Sequence, residues 1–425
     1  MQQAAGQAIA ERHNVLLLSP TGSGKTLAFL LPLLQSINPD AQLQAIVVCP
    51  SRELAQQIDS VFRDTVRAAG LPLRAVALYG GRPTMDEHRV LREVQPHIVF
   101  ATPGRLLDHI GKSNLHLHGV RTLVVDEYDK CLELGFAEQM EAIDHALAQT
   151  PQRVLTSATR ATTDSPWLSR RKFLTIDYLD DHDDLAARLD VSIVPSPEKD
   201  KLQTLARLLS HLGDEQTIVF VAHRESAERV GKFLAAERFS AVVYHGGMEQ
   251  DRRERALYRF RAGAANVLVS TDLAARGLDI LAVRHIVHYH LPADAPTFTH
   301  RNGRTARWDG TGNAYLILGP EETLPDFIDS ETAVFDVSAE PLRPAPSQWT
   351  LFYIGRGKRD KLSRADILGF LCKKGGLTAA HIGRIDVTPH ASYVAIRPSC
   401  INSLLRRIAG EKIKGMRTII EPVKH

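Results

Sequence analysis

Cysteine is scarce in this sequence, and long apolar runs are absent from it. The chain has four cysteines, and they are far apart: Cys49, Cys131, Cys372 and Cys400. Without a CxxC spacing they exclude a disulfide-stabilised scaffold and a zinc ribbon, and they favour a reducing compartment. The longest apolar stretch, Leu27–Leu34, contains Pro32, whereas a membrane helix needs roughly 18 apolar residues. The N-terminus lacks the pattern of a secretory signal. We therefore expect a cytoplasmic protein without a membrane segment.

The overall composition is that of a globular protein. The 425 residues are 44% hydrophobic and 24% charged, with 28 glycines and 22 prolines. These values exclude a disordered or collagen-like chain. At roughly 100–200 residues per domain, we expect two to four domains.

The net charge of +3 conceals an uneven distribution. Residues 349–425 contain 15 Lys or Arg against 5 Asp or Glu, whereas the preceding 348 residues contain 37 against 44. A basic module attached to a mildly acidic body is typical of nucleic-acid binding. A solvated basic surface without a ligand is the alternative.

Short apolar runs alternate with helix-patterned stretches along most of the chain. Runs that are apolar on both faces and separated by helices indicate buried parallel strands. One series comprises Val15–Leu18, Ala45–Val48, Leu73–Leu78, Ile98–Phe100, Leu123–Val125 and Arg153–Leu155. A second comprises Thr217–Val221, Ala241–Tyr244, Val267–Val269, His285–Val287 and Ala314–Leu318. The pattern predicts an α/β fold with two doubly wound parallel sheets.

Composition also predicts the domain boundaries. The acidic stretch Tyr178–Asp190 lacks a strand pattern and joins the two sheets, so we expect domains at 1–180 and 191–320. Pro320–Gln348 carries five prolines and many acids, which predicts a linker over 321–348. Residues 349–425 then alternate strand and helix patterns, which predicts a small α+β domain.

A glycine-rich segment, Ser19-Pro20-Thr21-Gly22-Ser23-Gly24-Lys25-Thr26, follows the first apolar run and opens a helical stretch. Glycines allow successive backbone N–H groups to surround phosphate oxygens, and a helix N-terminus adds a favourable dipole. In this pattern Lys25 reaches the β and γ phosphates, and the Thr26 hydroxyl ligates Mg²⁺. Ser19 stands where the general pattern has its first glycine. The segment predicts a nucleoside triphosphate site; a simple glycine-rich turn is the alternative.

Two acids, Asp126 and Glu127, come directly after the apolar run that ends at Val125. Acids at the carboxyl end of a parallel strand face the ligand crevice. Asp126 can hold Mg²⁺ through water, and Glu127 can orient and deprotonate an attacking water. An acidic surface turn is the alternative, which the upstream phosphate loop disfavours.

The segment His300–Arg307 contains three arginines, Arg301, Arg304 and Arg307. Arginine pairs with phosphate through two parallel hydrogen bonds. Arg304 and Arg307 can reach the γ-phosphate of a nucleotide bound on the first sheet, and such arginine fingers are worth ~10³–10⁵ in rate. A solvent-facing or nucleic-acid-binding turn is the alternative.

Taken together, these motifs resemble the DEAD-box family of RNA helicases over about residues 1–320. The phosphate loop resembles motif I, and Asp126–Asp129 resembles motif II. Further matches follow in order: motif Ia at Pro50–Ala55, RNA-contacting motifs at Gly80–Gly81 and Thr102–Arg105, motif III at Ser157–Thr159, motif IV at Phe220, Gln250 with Arg253 as QxxR, motif V at Ser270–Asp279 and motif VI at His300–Arg307. His300, rather than Gln, separates the sequence from the related DEAH group.

The resemblance implies two RecA-like domains and an ATP-dependent RNA helicase that separates strands locally. For ATP and Mg²⁺ it implies Gln2, Thr21, Gly22, Ser23, Gly24, Lys25, Thr26, Asp126, Glu127, Gly277 and Asp279, with Arg304 and Arg307 as fingers. For coupling hydrolysis to domain closure it implies Asp129, Ser157, Thr159 and His300. For one RNA strand it implies Arg52, Gly81, Thr102, Arg105, Arg253 and Thr271, which hold the backbone without reading sequence.

Two features depart from the family pattern. Tyr128 replaces the usual Ala of motif II, and we expect its bulk to lie beside the catalytic acids. Gln2 has the spacing of the family's adenine-reading glutamine, but the aromatic residue and helix that normally precede it would come before Met1. We expect that a segment is missing before Met1 and that an extended product prefers ATP more sharply.

The basic module resembles the C-terminal DbpA-type RNA-binding domain, which has an RRM-like fold. The matching stretches include Ile354–Leu362, Asp366–Gly369, Ile382–Asp386, Ser392–Ala395 and Lys412–Gly415. We expect RNA contacts from Lys358, Lys361, Tyr393, Lys412 and Lys414; core packing is the alternative for the aromatic residues. Phe352 and Tyr353 alternate faces, so at most one of them faces RNA. The resemblance implies a hairpin of large-subunit ribosomal RNA near the peptidyl-transferase centre, within a pre-ribosomal particle.

Two other functions stay open at this level. An RNA-binding assembly factor or chaperone with a weak or inactive ATPase is favoured by Tyr128 and opposed by the intact Lys25, Glu127 and Arg304. The second is a DNA helicase of the same superfamily. A substrate preference that depends on the RNA 2′-hydroxyl distinguishes an RNA helicase from it.

Overall fold

A computed structural model describes residues 1–20, 22–81, 83–150, 152–160, 170–179, 188–272, 283–305 and 311–423. These residues form two compact units, the first ending at residue 179 and the second beginning at residue 188. The first unit holds one parallel sheet. The second holds another parallel sheet and a smaller antiparallel one.

The sheet of the first unit has seven parallel strands in the order β3-β4-β2-β5-β6-β1-β7. The strands are β1 Val15–Leu18, β2 Ala45–Val48, β3 Ala75–Leu78, β4 Ile98–Ala101, β5 Thr122–Val125, β6 Gln152–Ser157 and β7 Leu174–Asp177. The helices are α1 Gln2–Ala10, α2 Lys25–Ser36, α3 Arg52–Ala69, α4 Thr84–Val94, α5 Pro103–Gly111, α6 Tyr128–Glu133 and α7 Ala137–Ala146. Most strands are short and buried on both faces, because helices cover each side.

The strand order divides the carboxyl edge of this sheet into two neighbouring halves. Strands β1, β5 and β6 lie together on one side, and β2, β3 and β4 lie together on the other. All pair in parallel, so their carboxyl ends meet at the same edge. The phosphate loop and motif II therefore occupy one half. The motifs that resemble RNA contacts occupy the other.

The large sheet of the second unit has the order β10-β11-β9-β12-β13-β8-β14 and is also parallel. Its strands are β8 Leu189–Pro195, β9 Thr217–Val221, β10 Ala241–Tyr244, β11 Val267–Thr271, β12 His285–His288, β13 Gly312–Leu318 and β14 Ala333–Val334. Its helices are α8 Leu202–Leu212, α9 Arg224–Ala236, α10 Gln250–Arg261 and α11 Ala295–Asn302. No helix among the described residues is long and apolar enough to span a bilayer.

The segment 321–348 differs from the linker that the sequence predicts. It packs on the second sheet, contributes the edge strand β14 and buries Ile328 and Val337. Glu322 forms an ion pair with the buried Lys201, at 2.7 Å. The prolines and acids suggested a loose connection, but a few apolar and charged contacts with distant residues are enough to order it.

The C-terminal part of the second unit forms an antiparallel sheet in the order β16-β17-β15-β18. It contains β15 Thr350–Ile354, β16 Ile382–Val387, β17 Ser392–Ile396, β18 Ile420–Pro422, α12 Arg364–Lys373 and α13 Ile401–Ile408. Short 3₁₀ turns lie at Leu117–Gly119, Lys358–Asp360, Ala379–His381 and Pro398–Cys400. The helices cover one face of the sheet, where Phe352 is buried, and Tyr353 lies on the other face. The expected small α+β domain is confirmed.

Candidate ATP site and RNA-binding surfaces

The phosphate loop has the shape of an anion cradle. Gly22 and Gly24 have φ angles of 84° and 89°, in the left-handed region that favours glycine. The Lys25 ammonium donates hydrogen bonds to the carbonyl oxygens of Ser19 (2.5 Å) and Pro20 (2.7 Å), which holds it over the loop. The buried hydroxyls of Ser19 and Ser23 find no hydrogen-bond partner among the described residues. Unsatisfied donors of this kind suit phosphate oxygens. Thr21 lies outside the described residues.

Gln2 borders the same loop from helix α1. Its Nε2 lies 3.4 Å from the carbonyl oxygen of Gly24. A Cβ added at Gly24 would lie 2.5 Å from that nitrogen, which is the end of a flexible side chain, so it is the left-handed backbone angle that favours glycine there. The structure brings Gln2 to the phosphate loop, and its predicted role in reading adenine stays a prediction.

Asp126 directly follows β5, and only one of its two carboxylate oxygens accepts hydrogen bonds from the described residues. Its Oδ1 accepts hydrogen bonds from the Thr156 hydroxyl (2.5 Å) and the Glu127 N–H (3.2 Å). Its Oδ2 accepts none from the described residues. Asp126 is only 3% exposed, and burial raises its pKa while the nearby Lys25 opposes that effect. A carboxylate oxygen and a hydroxyl on α2, that of Thr26, match the oxygen ligands that Mg²⁺ prefers.

Glu127 and three of the predicted coupling residues are joined by hydrogen bonds at the carboxyl end of the adjacent strand β6. Glu127 has a left-handed backbone, with φ 51°, and its N–H also lies 3.2 Å from the Thr156 hydroxyl. The Thr159 hydroxyl donates to the Asp129 carboxylate at 3.1 Å, and the Ser157 hydroxyl donates to the Thr159 carbonyl at 2.6 Å. The structure thus joins the motif that resembles motif III to motif II, although the two lie about thirty residues apart in the sequence.

The side chain of Tyr128 is buried in the core of the first unit. Its side chain is 1% exposed and belongs to the core cluster that includes Cys131, Met140 and Leu155. Its bulk is therefore buried in the core of the first unit. The helical turn that starts at Tyr128 directs the ring into the core between β5 and the helices, because a large apolar ring is most stable when buried.

Four residues predicted to grip RNA lie in the other half of the first sheet. Gly81 has φ 96°, and a Cβ added there would lie 2.7 Å from the guanidinium of Arg52. Thr102 follows β4 and precedes α5, which carries Arg105. The fold therefore brings Arg52, Gly81, Thr102 and Arg105 to one sheet edge.

Arg105 is oriented by a buried polar network that the sequence did not reveal. Its Nη1 lies 2.5 Å from the Thr84 hydroxyl and 3.5 Å from Glu87 Oε2. The same Glu87 oxygen contacts His109 Nε2 at 3.0 Å, and Asn114 lies 3.1 Å from the other His109 nitrogen. Glu87 and His109 are both buried. Glu87 lies on α4 and Arg105 on α5, and only the tertiary contact joins them.

In the second unit the predicted site residues surround the carboxyl ends of its strands. Arg253 is buried and donates to the Tyr244 hydroxyl at 2.9 Å, and Thr271 ends strand β11. Arg304 is buried, and His300 lies on α11. The structure does not describe Gly277, Asp279 and Arg307.

Arg301 is a structural residue that sequence reasoning left without a role. Its guanidinium binds both oxygens of Asp272, at 2.6 and 2.8 Å, and donates to the His290 carbonyl at 2.8 Å. It also lies 5.1 Å from the ring centre of Phe220. These contacts tie α11 to strands β9, β11 and β12. The signal available in the sequence was the arginine spacing. Spacing alone does not distinguish a catalytic arginine finger from an arginine that links structural elements.

The C-terminal lysines are exposed, but Tyr393 is not. Lys358, Lys361, Lys412 and Lys414 are exposed, and the Lys414 ammonium bonds the Lys361 carbonyl (2.8 Å) and Asp366 (3.0 Å). Tyr393 is 8% exposed, and its ring stacks on Tyr258 of α10 with centres 4.5 Å apart. The predicted RNA contact of Tyr393 is therefore corrected to core packing, because a helix of the same unit covers that ring.

Comparison with known proteins agrees with this geometry. Residues 1–165 match the family model described as DEAD/DEAH box helicase, residues 200–309 match the helicase conserved C-terminal domain, and residues 351–422 match the DbpA RNA binding domain. The chain belongs to the DEAD-box family of ATP-dependent RNA helicases. The family resemblance inferred from the motifs is confirmed, as is the fold of two RecA-like domains with a small C-terminal domain.

Two relatives show how far the similarity extends. The chain is 35% identical to the ATP-dependent RNA helicase DbpA of Escherichia coli (strain K12), over 98% of this chain and 92% of that protein. It is 31% identical to the DEAD-box helicase RhpA of Helicobacter pylori (strain B128), over 79% of this chain and 69% of that protein. The first similarity includes the C-terminal domain.

Two solved structures have the same fold. S. cerevisiae Dbp5 bound to RNA and ADP BeF3 matches with a TM-score of 0.69 and 26% identity, over 79% of this chain and 89% of that one. The DEAD-box helicase Mss116 bound to ssRNA and UDP-BeF matches with a TM-score of 0.68 and 27% identity, over 75% and 69%. Both structures contain a bound nucleotide and RNA, in agreement with an ATP-dependent RNA helicase.

Proposed function

We propose that this helicase remodels a hairpin of large-subunit ribosomal RNA near the peptidyl-transferase centre, in a cytoplasmic pre-ribosomal particle. The observation that carries the proposal is the DbpA RNA binding domain at residues 351–422, since the resemblance to that domain implies this target. The similarity to the E. coli helicase over nearly the whole chain supports it. The exposed lysines of this domain supply the positive charge that an RNA backbone requires.

We assign the hydrolytic steps to the two motifs at the carboxyl edge of the first sheet. The phosphate loop and Lys25 hold the β and γ phosphates. Thr26 and Asp126, the latter partly through water, would hold Mg²⁺, which neutralises phosphate charge as a Lewis acid. Glu127 accepts the proton of the attacking water. Arg304 and Arg307 keep the role of arginine fingers, and Gly277 and Asp279 that of nucleotide contacts, as the family resemblance implies. The burial of Tyr128 in the core removes one argument for an inactive ATPase.

The test is ATP hydrolysis by the full chain without RNA, with a ribosomal fragment that contains the hairpin, and with unrelated RNA of equal length. Strong stimulation by the ribosomal fragment alone is the expected result, because the C-terminal domain raises the local concentration of that RNA. Equal stimulation by both RNAs would overturn the ribosomal target and leave the helicase. A DNA strand of the same sequence serves as the control for the 2′-hydroxyl.

The network around Arg105 gives a further prediction. Glu87→Gln keeps the size of the side chain but removes the charge that orients Arg105. We expect the RNA concentration for half-maximal ATPase to rise roughly fivefold, since loss of the 3.5 Å ion pair between Glu87 and Arg105 costs up to about 1 kcal/mol. The KM for ATP should not change.

Glu93→Gln is the matched control, because Glu93 lies on the same helix and is exposed. Titration of RNA in the ATPase assay measures both variants. If Glu87→Gln behaves like Glu93→Gln, the network does not orient Arg105 for RNA.

A further inference from the structure

The second RecA-like domain and the C-terminal domain are packed together within the second unit. Tyr258 of α10 stacks on Tyr393 of β17, and a buried cluster joins Ala262, Ala264, Leu351 and Ala395 around them. A Cβ added at Gly263 would lie 3.0 Å from the Trp349 ring. The contact is therefore close and largely apolar, and it holds the two surfaces in one arrangement.

A groove of about 720 Å³ opens beside this contact. Helix α10 forms one wall with Arg252, Arg255 and Arg259, and the antiparallel sheet forms the other with Tyr353 and Glu421. The volume lies within the range of natural ligand sites, ~300–1,000 Å³. The groove therefore has the size of a ligand-binding site.

The charge of the groove favours an anion. Arg252, Arg255 and Arg259 are three, four and seven positions apart, which places them along one side of α10. Arg252 and Arg255 are exposed and form no ion pair with any described residue. Of the two carboxylates in the lining, Glu228 is hydrogen-bonded to His245 at 2.9 Å, which leaves Glu421. The guanidinium plane matches phosphate oxygens, so a row of them suits a phosphate backbone.

The opposite wall offers an aromatic ring. Tyr353 is half-buried on the outer face of the sheet, with its ring edge-on to that of Tyr393 at 5.8 Å. Tyr393 is covered by Tyr258, whereas Tyr353 keeps part of its surface in the groove. An accessible ring beside a row of cations is the combination that binds single-stranded nucleic acid, because bases stack on the ring and phosphates bind the cations.

We propose that this groove binds single-stranded RNA, with its phosphates on Arg252 and Arg255 and a base on Tyr353. The proposal rests on the RNA-binding function proposed above and adds a site to it. Helix α10 also carries Arg253, a predicted RNA contact of the second RecA-like domain. The groove therefore lies between that predicted contact and the C-terminal domain, where the stretch of RNA that connects the two would run. An acidic peptide is the other anionic chain that could occupy the groove. Acidic side chains do not stack on an aromatic ring as bases do, so Tyr353 favours RNA.

The test is the affinity of the full chain for a labelled single-stranded oligouridine and for a hairpin with or without a single-stranded extension. We expect the double variant Arg252→Ala/Arg255→Ala to bind oligouridine and the extended hairpin roughly tenfold more weakly. The hairpin without an extension should bind as before. The slope of log affinity against log salt should fall by roughly 1.4, at about 0.7 per phosphate contact on a single strand. Tyr353→Leu should weaken oligouridine binding about fivefold or more, without that change in slope.

Arg89→Ala/Arg92→Ala is the matched control, since these exposed arginines have the same spacing on helix α4. ATPase activity without RNA confirms that each variant is folded. Unchanged oligouridine affinity in the Arg252/Arg255 variant would overturn the groove, as would a loss equal to that of the control. A fluorescent label attached in the groove reports binding there. A response of this label to polyglutamate, but not to oligouridine, would also overturn the proposal in favour of an acidic peptide. If the unmodified protein shows no RNA binding or stimulation, the proposed function fails instead.

Discussion

Glu127→Gln is expected to lower RNA-stimulated ATP turnover by roughly 10²–10⁴, the usual contribution of a general base. The amide cannot accept the proton of the attacking water, although it has the same size as the carboxylate. The backbone of Glu127 is held by the Thr156 hydroxyl and by Asp126, so the substitution should not disturb the loop. Steady-state phosphate release at saturating RNA measures the effect.

Glu138→Gln is the control for this variant, because Glu138 is an exposed acid in the same unit. ATP binding by Glu127→Gln, followed with a fluorescent ATP analogue, should remain within about twofold of the unmodified protein, since phosphate contacts rather than Glu127 hold the nucleotide. Turnover that falls by less than about tenfold would contradict the assignment of Glu127 as the base.

Tyr128→Ala is expected to lower the free energy of unfolding of the first unit by about 3–5 kcal/mol, although it creates the residue usual in the family motif. The ring is 1% exposed and packs in the core near Met140 and Leu155, so its removal leaves a cavity. The urea midpoint for loss of ATP-analogue binding measures the change. Turnover per folded molecule should remain within about twofold, because the substitution leaves Lys25, Asp126 and Glu127 unchanged.

Tyr128→Phe separates the ring from the hydroxyl in this experiment. It keeps the apolar volume, so its midpoint should lie much closer to that of the unmodified protein than the midpoint of Tyr128→Ala. A Tyr128→Ala protein with unchanged stability and an altered KM for ATP would show that the ring lies beside the nucleotide after all.

Much of the fold was predictable because its strands are short apolar runs. Val15–Leu18, Ala45–Val48 and Thr217–Val221 have the same bounds in the sequence pattern and in the structure. A strand buried on both faces has to be apolar throughout, so it stands out between amphipathic helices. Strands at the sheet edges, β7 and β14, were not predicted. They are partly exposed and short, and their sequences carry no such run.

The candidate site was predictable where function demands particular residue types at close spacing. The glycines before Lys25 and the acids after β5 are such cases, because phosphate binding and water activation leave few alternatives. The network of Glu87 and His109 around Arg105 was not predictable. It is built by contacts between two helices, and any of several polar residues can make such contacts.

The sequence by itself determined the order of the parallel strands along the chain, the phosphate loop, the acid pair and the basic C-terminal module. Each of these depends on neighbouring residues, so it is visible as a local pattern. Only the tertiary structure decided that Tyr128 lies in the core, that Tyr393 stacks on Tyr258 and that segment 321–348 packs on the second sheet. Those outcomes depend on which surfaces from distant parts of the chain come into contact. The spacing of neighbouring residues therefore does not predict the burial of an aromatic ring against another part of the chain.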